Sequence, residues 1–232
     1  MLTHNLGYPR IGSNRELKKA CENYWAGKIT LQELEQAAKN IRLANWKLQQ
    51  EAGIDLIPSN DFSYYDQVLD LSLTLGAVPV RYEDLKKGNQ TDLYFAMARG
   101  NQKDGNDVTA MEMTKWFDTN YHYIVPEFYK EQQFKLTSDK AVEEFKEAKA
   151  SGVLTKPVLI APVSYLLLGK EKEEDFNRIS LFENLLPVYI ELIGKLVAEG
   201  AQWIQLDEPF LALDIQEDAK EAIRKTYEVI RR

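Results

Sequence analysis

Cysteine and histidine are scarce in this chain. Among 232 residues there is one cysteine, Cys21, and there are two histidines, His4 and His122. A lone cysteine excludes an intrachain disulfide, which is the usual framework of a small secreted domain. One thiol and two distant imidazoles cannot supply a thiolate-rich zinc site, and a carboxylate-bound magnesium has no motif behind it. We therefore expect a cytoplasmic protein with no metal ligands of its own.

Long apolar runs and an excess of positive charge are also missing. The longest apolar run, residues 157–168, is too short and too interrupted to span a bilayer, and the N-terminus lacks a signal-peptide profile. The net charge of −7 argues against a general nucleic-acid-binding protein, because such affinity depends on surplus lysine and arginine. We expect neither a membrane nor a nucleic acid as partner. Any anionic ligand must be bound by a local cluster of cations.

Two capping-box patterns predict helix starts. Ser13 and Glu16 have the required spacing, and Thr30 and Glu33 repeat it. After each box, apolar residues recur with helical spacing towards a glycine, Gly27 or Gly53. The same reasoning predicts later helices over residues 181–198 and from about residue 217.

Short branched apolar segments predict about six strands. They lie near residues 2–6, 54–58, 115–125, 134–137, 156–162 and 203–208. Strands that alternate with amphipathic helices favour a parallel sheet covered by helices, either a barrel or an open flavodoxin-like sheet. The chain has no Gly-x-Gly-x-x-Gly and no Walker lysine motif, which disfavours the nucleotide-binding versions.

Polar residues gather where two of these strands end. Asn60 and Asp61 follow one strand, and Asp207 and Glu208 close another. A (β/α)8 barrel builds its active site at this end of its strands. Because closure needs eight strands, we predict an α/β TIM-type barrel truncated after about six βα units, with residues 1–232 as one incomplete domain. The open sheet is the alternative.

Arg15 and Lys18 are candidate anion ligands. They are three residues apart in the first turn of the first predicted helix, so we expect their side chains to share a face. Cations are disfavoured at this end of a helix by a few tenths of a kcal/mol each, a cost that an anionic ligand would explain. The alternative is two solvated cations that pair with Glu16 or Glu22.

Residues 115–127 combine a cation, an amide, an imidazole, two carboxylates and four aromatic rings. This mixture is typical of a ligand-binding surface, although an aromatic-rich strand with polar tips at the surface is an equal alternative. If the segment is extended, Asp118, Asn120 and His122 share one face. His122 is then either a general base or a structural histidine.

Two further features favour a structural interpretation. Asp207 and Glu208 are adjacent on a predicted strand and therefore point to opposite faces, which weakens them as a paired acid and base. The charged runs over residues 140–149 and 170–175 are typical of solvated helix surface.

Five motifs in order resemble one enzyme family over essentially the whole chain. They are residues 6–12, 15–18, 61–66, 115–127 and 205–209. They are similar to the amino-terminal half of cobalamin-independent methionine synthase. The resemblance implies a methyltransferase that moves the methyl group of 5-methyltetrahydropteroyltri-L-glutamate to homocysteine, makes methionine, and uses no cobalamin. It also implies two (β/α)8 barrels that meet face to face, with the folate between them.

The resemblance carries over to individual residues. In the family, the Arg-Glu-Leu-Lys element and the lysine of the Lys-Trp-Phe-Asp-Thr-Asn motif bind the polyglutamylated folate. This implies folate contacts, with Asn120 as a weaker addition, at Arg15, Glu16, Leu17, Lys18, Lys115 and Asn120.

The carboxy-terminal barrel of the family, with its zinc and its homocysteine pocket, has no counterpart in this sequence. The resemblance therefore implies that this chain alone is not catalytically competent, and that Asp207 is a relic of barrel duplication. Two other hypotheses stay open. One is a stand-alone barrel hydrolase that uses Asp207, and the other is a non-catalytic scaffold or binding module for a partner domain.

Overall fold

The structure is a computed structural model that describes residues 1–102 and 107–231. The chain divides into two compact units by its internal contacts. Unit 1 comprises residues 1–64, 140–158 and 195–205, and unit 2 comprises residues 65–139, 159–194 and 206–232. Within the described residues, no helix combines the length and the apolarity needed to cross a bilayer.

The elements are mixed helices and short strands. The α-helices are α1 (Glu16–Trp25), α2 (Leu31–Glu51), α3 (Gln67–Thr74), α4 (Gln90–Arg99), α5 (Lys140–Ala150), α6 (Pro162–Leu168), α7 (Phe182–Ala198) and α8 (Glu217–Ile230). The strands are β1 (Pro58–Ser59), β2 (Met113–Lys115), β3 (His122–Ile124), β4 (Glu127–Phe128), β5 (Lys156–Ile160), β6 (Lys170–Glu171) and β7 (Gln205–Asp207). Three 3-10 segments lie at Val80–Lys87, Arg178–Leu181 and Pro209–Ala212.

Helices α1 and α2 pack against each other in unit 1. The predicted capping box of α2 is confirmed: the Glu33 N–H donates to the Thr30 hydroxyl at 3.2 Å, and the Thr30 N–H donates to the Glu33 carboxylate at 2.7 Å. The box predicted for α1 is wrong. Its N-cap is Arg15, in the left-handed region with φ 60°, and the Glu16 carboxylate accepts the Asn14 N–H at 2.9 Å. The Arg15 N–H closes a turn onto Gly12, whose φ of 80° suits glycine, so the chain enters the helix without a serine cap.

Within the described residues, the strands form three separate ladders. One has the order β1-β5-β7, one joins β2 to β3 and one joins β4 to β6. In unit 1, β1 runs parallel to β5 with Pro58 opposite Lys156. In unit 2, β4 and β6 are parallel, whereas β2 and β3 are antiparallel. The mixed α/β class is confirmed, but this topology does not confirm a truncated barrel.

Strand predictions succeeded at two segments, the buried β5 and the half-buried β7. The predictions at residues 156–162 and 203–208 correspond to β5 and β7. The predicted strands at residues 2–6 and 54–58 reduce to a bridge between His4 and Leu56 and to the two-residue β1. Residues 134–137 form no ladder in the structure, although the Lys135 and Thr137 amides donate to the carbonyls that end α3.

The core of unit 2 contains faces of four helices, α3, α6, α7 and α8. The predicted helices α7 and α8 are confirmed at Phe182–Ala198 and Glu217–Ile230. Helix α3 was not predicted, because it is buried on nearly all sides and carries no polar stripe. The helix at residues 140–149 is confirmed as α5, with Glu144 and Phe145 buried.

The charged run at residues 170–175 is not a helix, so that prediction was wrong. It begins with β6, where the Lys170 and Lys172 amides donate to the carbonyls of Pro126 and Phe128 at 2.9 Å. Ladder pairing to β4 therefore overrides the helical charge pattern of the sequence.

A buried ion pair joins the end of the 115–127 stretch to a 3-10 segment of unit 2. Glu127 is 5% exposed, and its two carboxylate oxygens accept from the two terminal guanidinium nitrogens of Arg81 at 2.6 and 2.7 Å. The guanidinium also lies over the Tyr82 ring, 4.7 Å from its centroid. Two-point pairing of this kind satisfies a carboxylate that burial would otherwise penalise.

Replacing Arg81 with alanine should destabilise the fold. Arg81→Ala leaves the Glu127 carboxylate buried without its partner, so the free energy of unfolding should fall by about 2 to 3 kcal/mol in urea denaturation. The matched control is Lys87→Ala, which breaks the exposed pair with Asp84 on the same 3-10 segment and should leave stability unchanged. Equal effects of the two substitutions would contradict this account of the pair.

Candidate functional site

The 15–18 element sits at the start of α1 in unit 1. Arg15 is the N-cap and lies outside the helix, so the expectation that it shares a helical face with Lys18 was wrong. Lys18 is exposed and its Nζ lies 3.7 Å from a Glu22 carboxylate oxygen, as the solvated-cation alternative predicted. Both partners of that pair are more than half exposed, so it holds Lys18 only weakly.

Glu16 and Leu17 shape the backbone of this element. Hydrogen bonds from its own amide and from that of Asn14 lower the pKa of Glu16, which keeps the carboxylate charged and tied to the turn. Leu17 is 3% exposed, and its N–H donates to the Ile11 carbonyl at 3.2 Å. The exposed side chains of the element are therefore the two cations, Arg15 and Lys18.

The segment before Arg15 is anchored by Asp61. One Asp61 carboxylate oxygen accepts the Tyr8 N–H at 2.7 Å, and the Asn45 side chain donates to the Pro9 carbonyl at 3.2 Å. Burial raises the pKa of Asp61, while the Tyr8 hydrogen bond opposes this shift. Asp61 opens the 61–66 motif, so one motif of the sequence fixes the approach to another within unit 1.

Lys115 and Asn120 belong to a β-hairpin in unit 2, formed by β2, β3 and the connecting residues 116–121. Lys115 ends β2 and lies directly opposite His122, the first residue of β3. The turn is closed by the Trp116 N–H on the Tyr121 carbonyl at 2.7 Å and by the Thr119 hydroxyl on the Trp116 carbonyl at 2.6 Å. Lys115 and Asn120 are both exposed.

The prediction of one continuous strand over residues 115–125 was wrong, since the chain reverses between β2 and β3. Asp118, Asn120 and His122 consequently do not share a strand face. His122 is exposed, and its Nδ1 lies 3.1 Å from the Asn120 carbonyl oxygen. The ring is thus held beside the turn by local contacts.

Aromatic rings support the hairpin. Trp116 meets Phe117 and Tyr123 edge to face, with ring centroids 5.2 and 5.7 Å apart, and Phe117 meets Phe210 at 5.3 Å. These rings pack against the unit 2 core, whereas Tyr121 at the turn is exposed. Most of the rings in this stretch thus serve packing.

Asp66 links this hairpin to helix α3. It is 4% exposed, and one carboxylate oxygen accepts the Val68 and Leu69 amides at 2.8 and 2.9 Å, which caps the helix. The other oxygen accepts the Ile124 N–H of β3 at 3.0 Å. Burial raises the pKa of Asp66 to about 7. Sequence reasoning missed this residue, although an aspartate directly before an apolar helical run is an N-cap signal.

The Asp207-Glu208 pair lies at the end of β7. The Glu208 carboxylate accepts from the Ser164 hydroxyl at 2.5 Å and from the Tyr227 hydroxyl at 3.4 Å. Burial raises the pKa of Glu208 and raises that of Tyr227 to about 12. The Asp207 backbone carbonyl accepts the Ala161 N–H at 2.9 Å. Glu208 is therefore held within unit 2 by hydroxyl groups, and no second carboxylate is among its hydrogen-bond partners there.

The metal-binding residue types do not fit a zinc site. Over residues 1–102 and 107–231, no group of three or more histidine, cysteine, aspartate or glutamate side chains is placed to hold a metal ion. Cys21 is buried in unit 1, with its sulfur 4.0 Å from the Tyr64 carbonyl oxygen. His122 lies on the exposed hairpin of unit 2.

Comparison with known proteins gives strong matches. The family model described as "Cobalamin-independent synthase, N-terminal domain" matches residues 2–232. The 5-methyltetrahydropteroyltriglutamate–homocysteine methyltransferase of Flavobacterium johnsoniae is 68% identical over 231 residues, which cover 99% of this chain. The enzyme of the same name from Saccharomyces cerevisiae is 54% identical over 230 residues, covering 96% of this chain. This chain spans about 30% of the length of either relative.

A solved structure has a similar fold. It is a crystal structure from Listeria monocytogenes, described as a candidate vitamin-B12 independent methionine synthase, with a TM-score of 0.57 and 15% sequence identity. The match covers 98% of this chain and 62% of that one. At this identity the likeness concerns the fold alone. The family match over residues 2–232 confirms the resemblance of the five motifs, and the chain belongs to the N-terminal domain family of cobalamin-independent synthases.

Proposed function

We propose that this chain is the folate-binding part of a methyltransferase that moves the methyl group of 5-methyltetrahydropteroyltri-L-glutamate to homocysteine and forms methionine without cobalamin. The observation that carries this proposal is the family match over residues 2–232, together with relatives named for this reaction. The hydrolase and scaffold alternatives have no comparable support.

The proposed contacts to the glutamate tail rest on exposed cations. A triglutamyl tail is a flexible polyanion, and this chain carries a net charge of −7, so the tail requires local positive groups. Arg15, Lys18 and Lys115 are exposed and lie on backbone segments tied down by hydrogen bonds. Charge-assisted hydrogen bonds to carboxylates are worth about 1.5 to 3 kcal/mol each.

The other proposed contacts have different roles. Asn120 is exposed at the hairpin turn, and its side-chain amide is a neutral donor for a carboxylate. Glu16 and Leu17 contribute through the turn that presents Arg15 and Lys18, since Leu17 is buried and Glu16 is hydrogen-bonded to the Asn14 amide. Lys18 must break its ion pair with Glu22 to bind a ligand. The free-energy cost of breaking an exposed ion pair is small.

We propose that zinc and homocysteine bind to a carboxy-terminal barrel, which is not part of this sequence. Zinc would bind homocysteine as a thiolate there, and a thiolate is the nucleophile that methyl transfer needs. In this proposal, the part of this chain in the reaction is to bind and orient the folate. We propose that this chain alone lacks turnover, because it spans only about 30% of the length of the relatives named for the reaction.

The proposed function also has consequences for the fold and for the cellular location. We propose that residues 1–232 belong to one (β/α)8 barrel, supported by the parallel pairing of β1 with β5 and by the helices that follow β5 and β7. We propose a cytoplasmic location, supported by the single cysteine.

Removing a tail-binding cation should weaken folate binding. In the protein at its natural length, Arg15→Ala, Lys18→Ala and Lys115→Ala should each raise the Kd for triglutamyl folate by about 10- to 100-fold, because each removes a charge-assisted hydrogen bond. Isothermal titration calorimetry measures this directly.

Matched controls are available in both units. Lys19→Ala changes the next exposed lysine on α1, and Lys130→Ala changes an exposed lysine of unit 2 outside the hairpin. Both should leave the Kd within twofold of the parent, as is usual for exposed charges that make no ligand contact. If all five variants bind like the parent protein, the site assignment fails.

A further inference from the structure

We propose that Asp66 is a positioning residue that fixes the β2–β3 hairpin, so that Lys115 is held ready for the glutamate tail. The inference rests on the proposed function. It assigns to the last residue of the 61–66 motif a role that works through Lys115, without contact between Asp66 and the folate.

The Ile124 amide points from β3 towards Asp66. Within the hairpin, the Val125 N–H donates to the Glu112 carbonyl at 2.8 Å and the Trp116 N–H donates to the Tyr121 carbonyl at 2.7 Å. Hydrogen-bonded and non-hydrogen-bonded residue pairs alternate along an antiparallel ladder. Ile124 belongs to a non-hydrogen-bonded pair, so its N–H points away from β2. It reaches the Asp66 carboxylate at 3.0 Å.

Ile124 is buried, with 1% of its surface exposed, so its amide relies on an acceptor within the protein. A buried amide without a partner costs more than the net value of one hydrogen bond. The Ile124–Asp66 hydrogen bond is therefore a direct tie between the hairpin and the start of α3, in addition to the packing of the hairpin's aromatic rings on the unit 2 core.

An amide side chain would be sufficient to cap α3, so capping alone does not explain the aspartate at position 66. Asn89 caps α4 by accepting the Thr91 and Asp92 amides at 2.7 and 2.9 Å, the same arrangement that Asp66 forms with one oxygen at α3. A cap alone thus needs no charge. What Asp66 adds is a second acceptor oxygen, and it is the one bonded to the Ile124 N–H.

The path from Asp66 to the ligand-binding side chain is short. Ile124 lies opposite Met113, and two residues along each strand His122 lies opposite Lys115. Ionisable side chains near the carboxylate include Asp70 of α3, Tyr94 of α4 and Tyr123 of β3. The Tyr94 hydroxyl accepts the Tyr65 and Asp66 amides and so supports the backbone of Asp66. The Ile124 amide is bound by the Asp66 carboxylate instead.

Two substitutions of Asp66 distinguish its role as the N-cap of α3 from its hydrogen bond to the Ile124 N–H. In Asp66→Asn the side-chain oxygen still caps α3, but the NH2 group meets the Ile124 N–H, donor against donor. Asp66→Ser keeps a good N-cap and has no second acceptor. Asn89→Ala is the control that removes a cap of the same form from α4.

The test is performed on the protein at its natural length. Asp66→Asn and Asp66→Ser should each raise the Kd and the KM for triglutamyl folate roughly tenfold, with kcat at saturating folate unchanged within twofold. Hydrogen exchange of the hairpin amides should speed up in both variants. Asn89→Ala should lower thermal stability and leave Kd unchanged.

A double-mutant cycle tests whether Asp66 acts through Lys115. If it does, Asp66→Asn combined with Lys115→Ala should bind no more weakly than Lys115→Ala alone, within twofold. Losses that multiply, an unchanged Kd in both Asp66 variants, or a fall in kcat with constant KM would each overturn the inference and leave the proposed function standing. An unaffected Kd in Lys115→Ala would overturn the inference and remove Lys115 from the proposed tail site, whereas the proposed function would still be tested by Arg15→Ala and Lys18→Ala.

Discussion

A buried carboxylate must accept hydrogen bonds, and two such carboxylates hold the segments that carry the candidate site. Asp61 accepts the Tyr8 amide in unit 1, and Asp66 accepts three amides in unit 2. Burial raises the pKa of both groups, which shows that desolvation outweighs the hydrogen bonds they receive. Backbone segments held in this way need little further ordering when a ligand binds to them, and pre-organisation of this kind favours affinity.

The cationic side chains fall into two groups: some are paired in the interior, and others are exposed at the surface. Arg42 donates to Glu147 at 2.6 Å, and the Lys140 Nζ lies 3.0 Å from Glu144 while donating to the Phe62 carbonyl at 2.7 Å. These groups are committed to the interior of unit 1. The cations of the folate proposal are instead exposed on a helix start and on a hairpin. Substitution of a surface cation should therefore change binding more than stability.

The sequence allowed prediction of elements with local signals. The Thr30 capping box and the amphipathic pattern fixed α2, and the same pattern fixed α7 and α8 within a residue or two. Prediction failed where long-range strand pairing determines the secondary structure. At β6, hydrogen bonds to the Pro126 and Phe128 carbonyls override a helical charge pattern. Alternation of rings and polar groups in residues 115–125 resembles a strand, and the turn in it contains neither glycine nor proline.

The candidate site was predicted by resemblance more than by physics. Charge placement singled out Arg15 and Lys18, but the left-handed conformation of Arg15 depends on a turn with Gly12 that helical spacing does not reveal. Asp66 escaped notice because its third hydrogen bond comes from Ile124, 58 residues away along the chain. Contacts at such separation leave no local pattern to read.

We propose that exposed cations of this chain bind the acidic tail of a folate. The proposal is tested by measuring the affinity of the protein at its natural length for folates that carry one, three and five glutamates. Affinity should rise at least tenfold from one glutamate to three, and this rise should be largely lost in Lys115→Ala. Equal affinity for the one- and three-glutamate forms in the parent protein would contradict it.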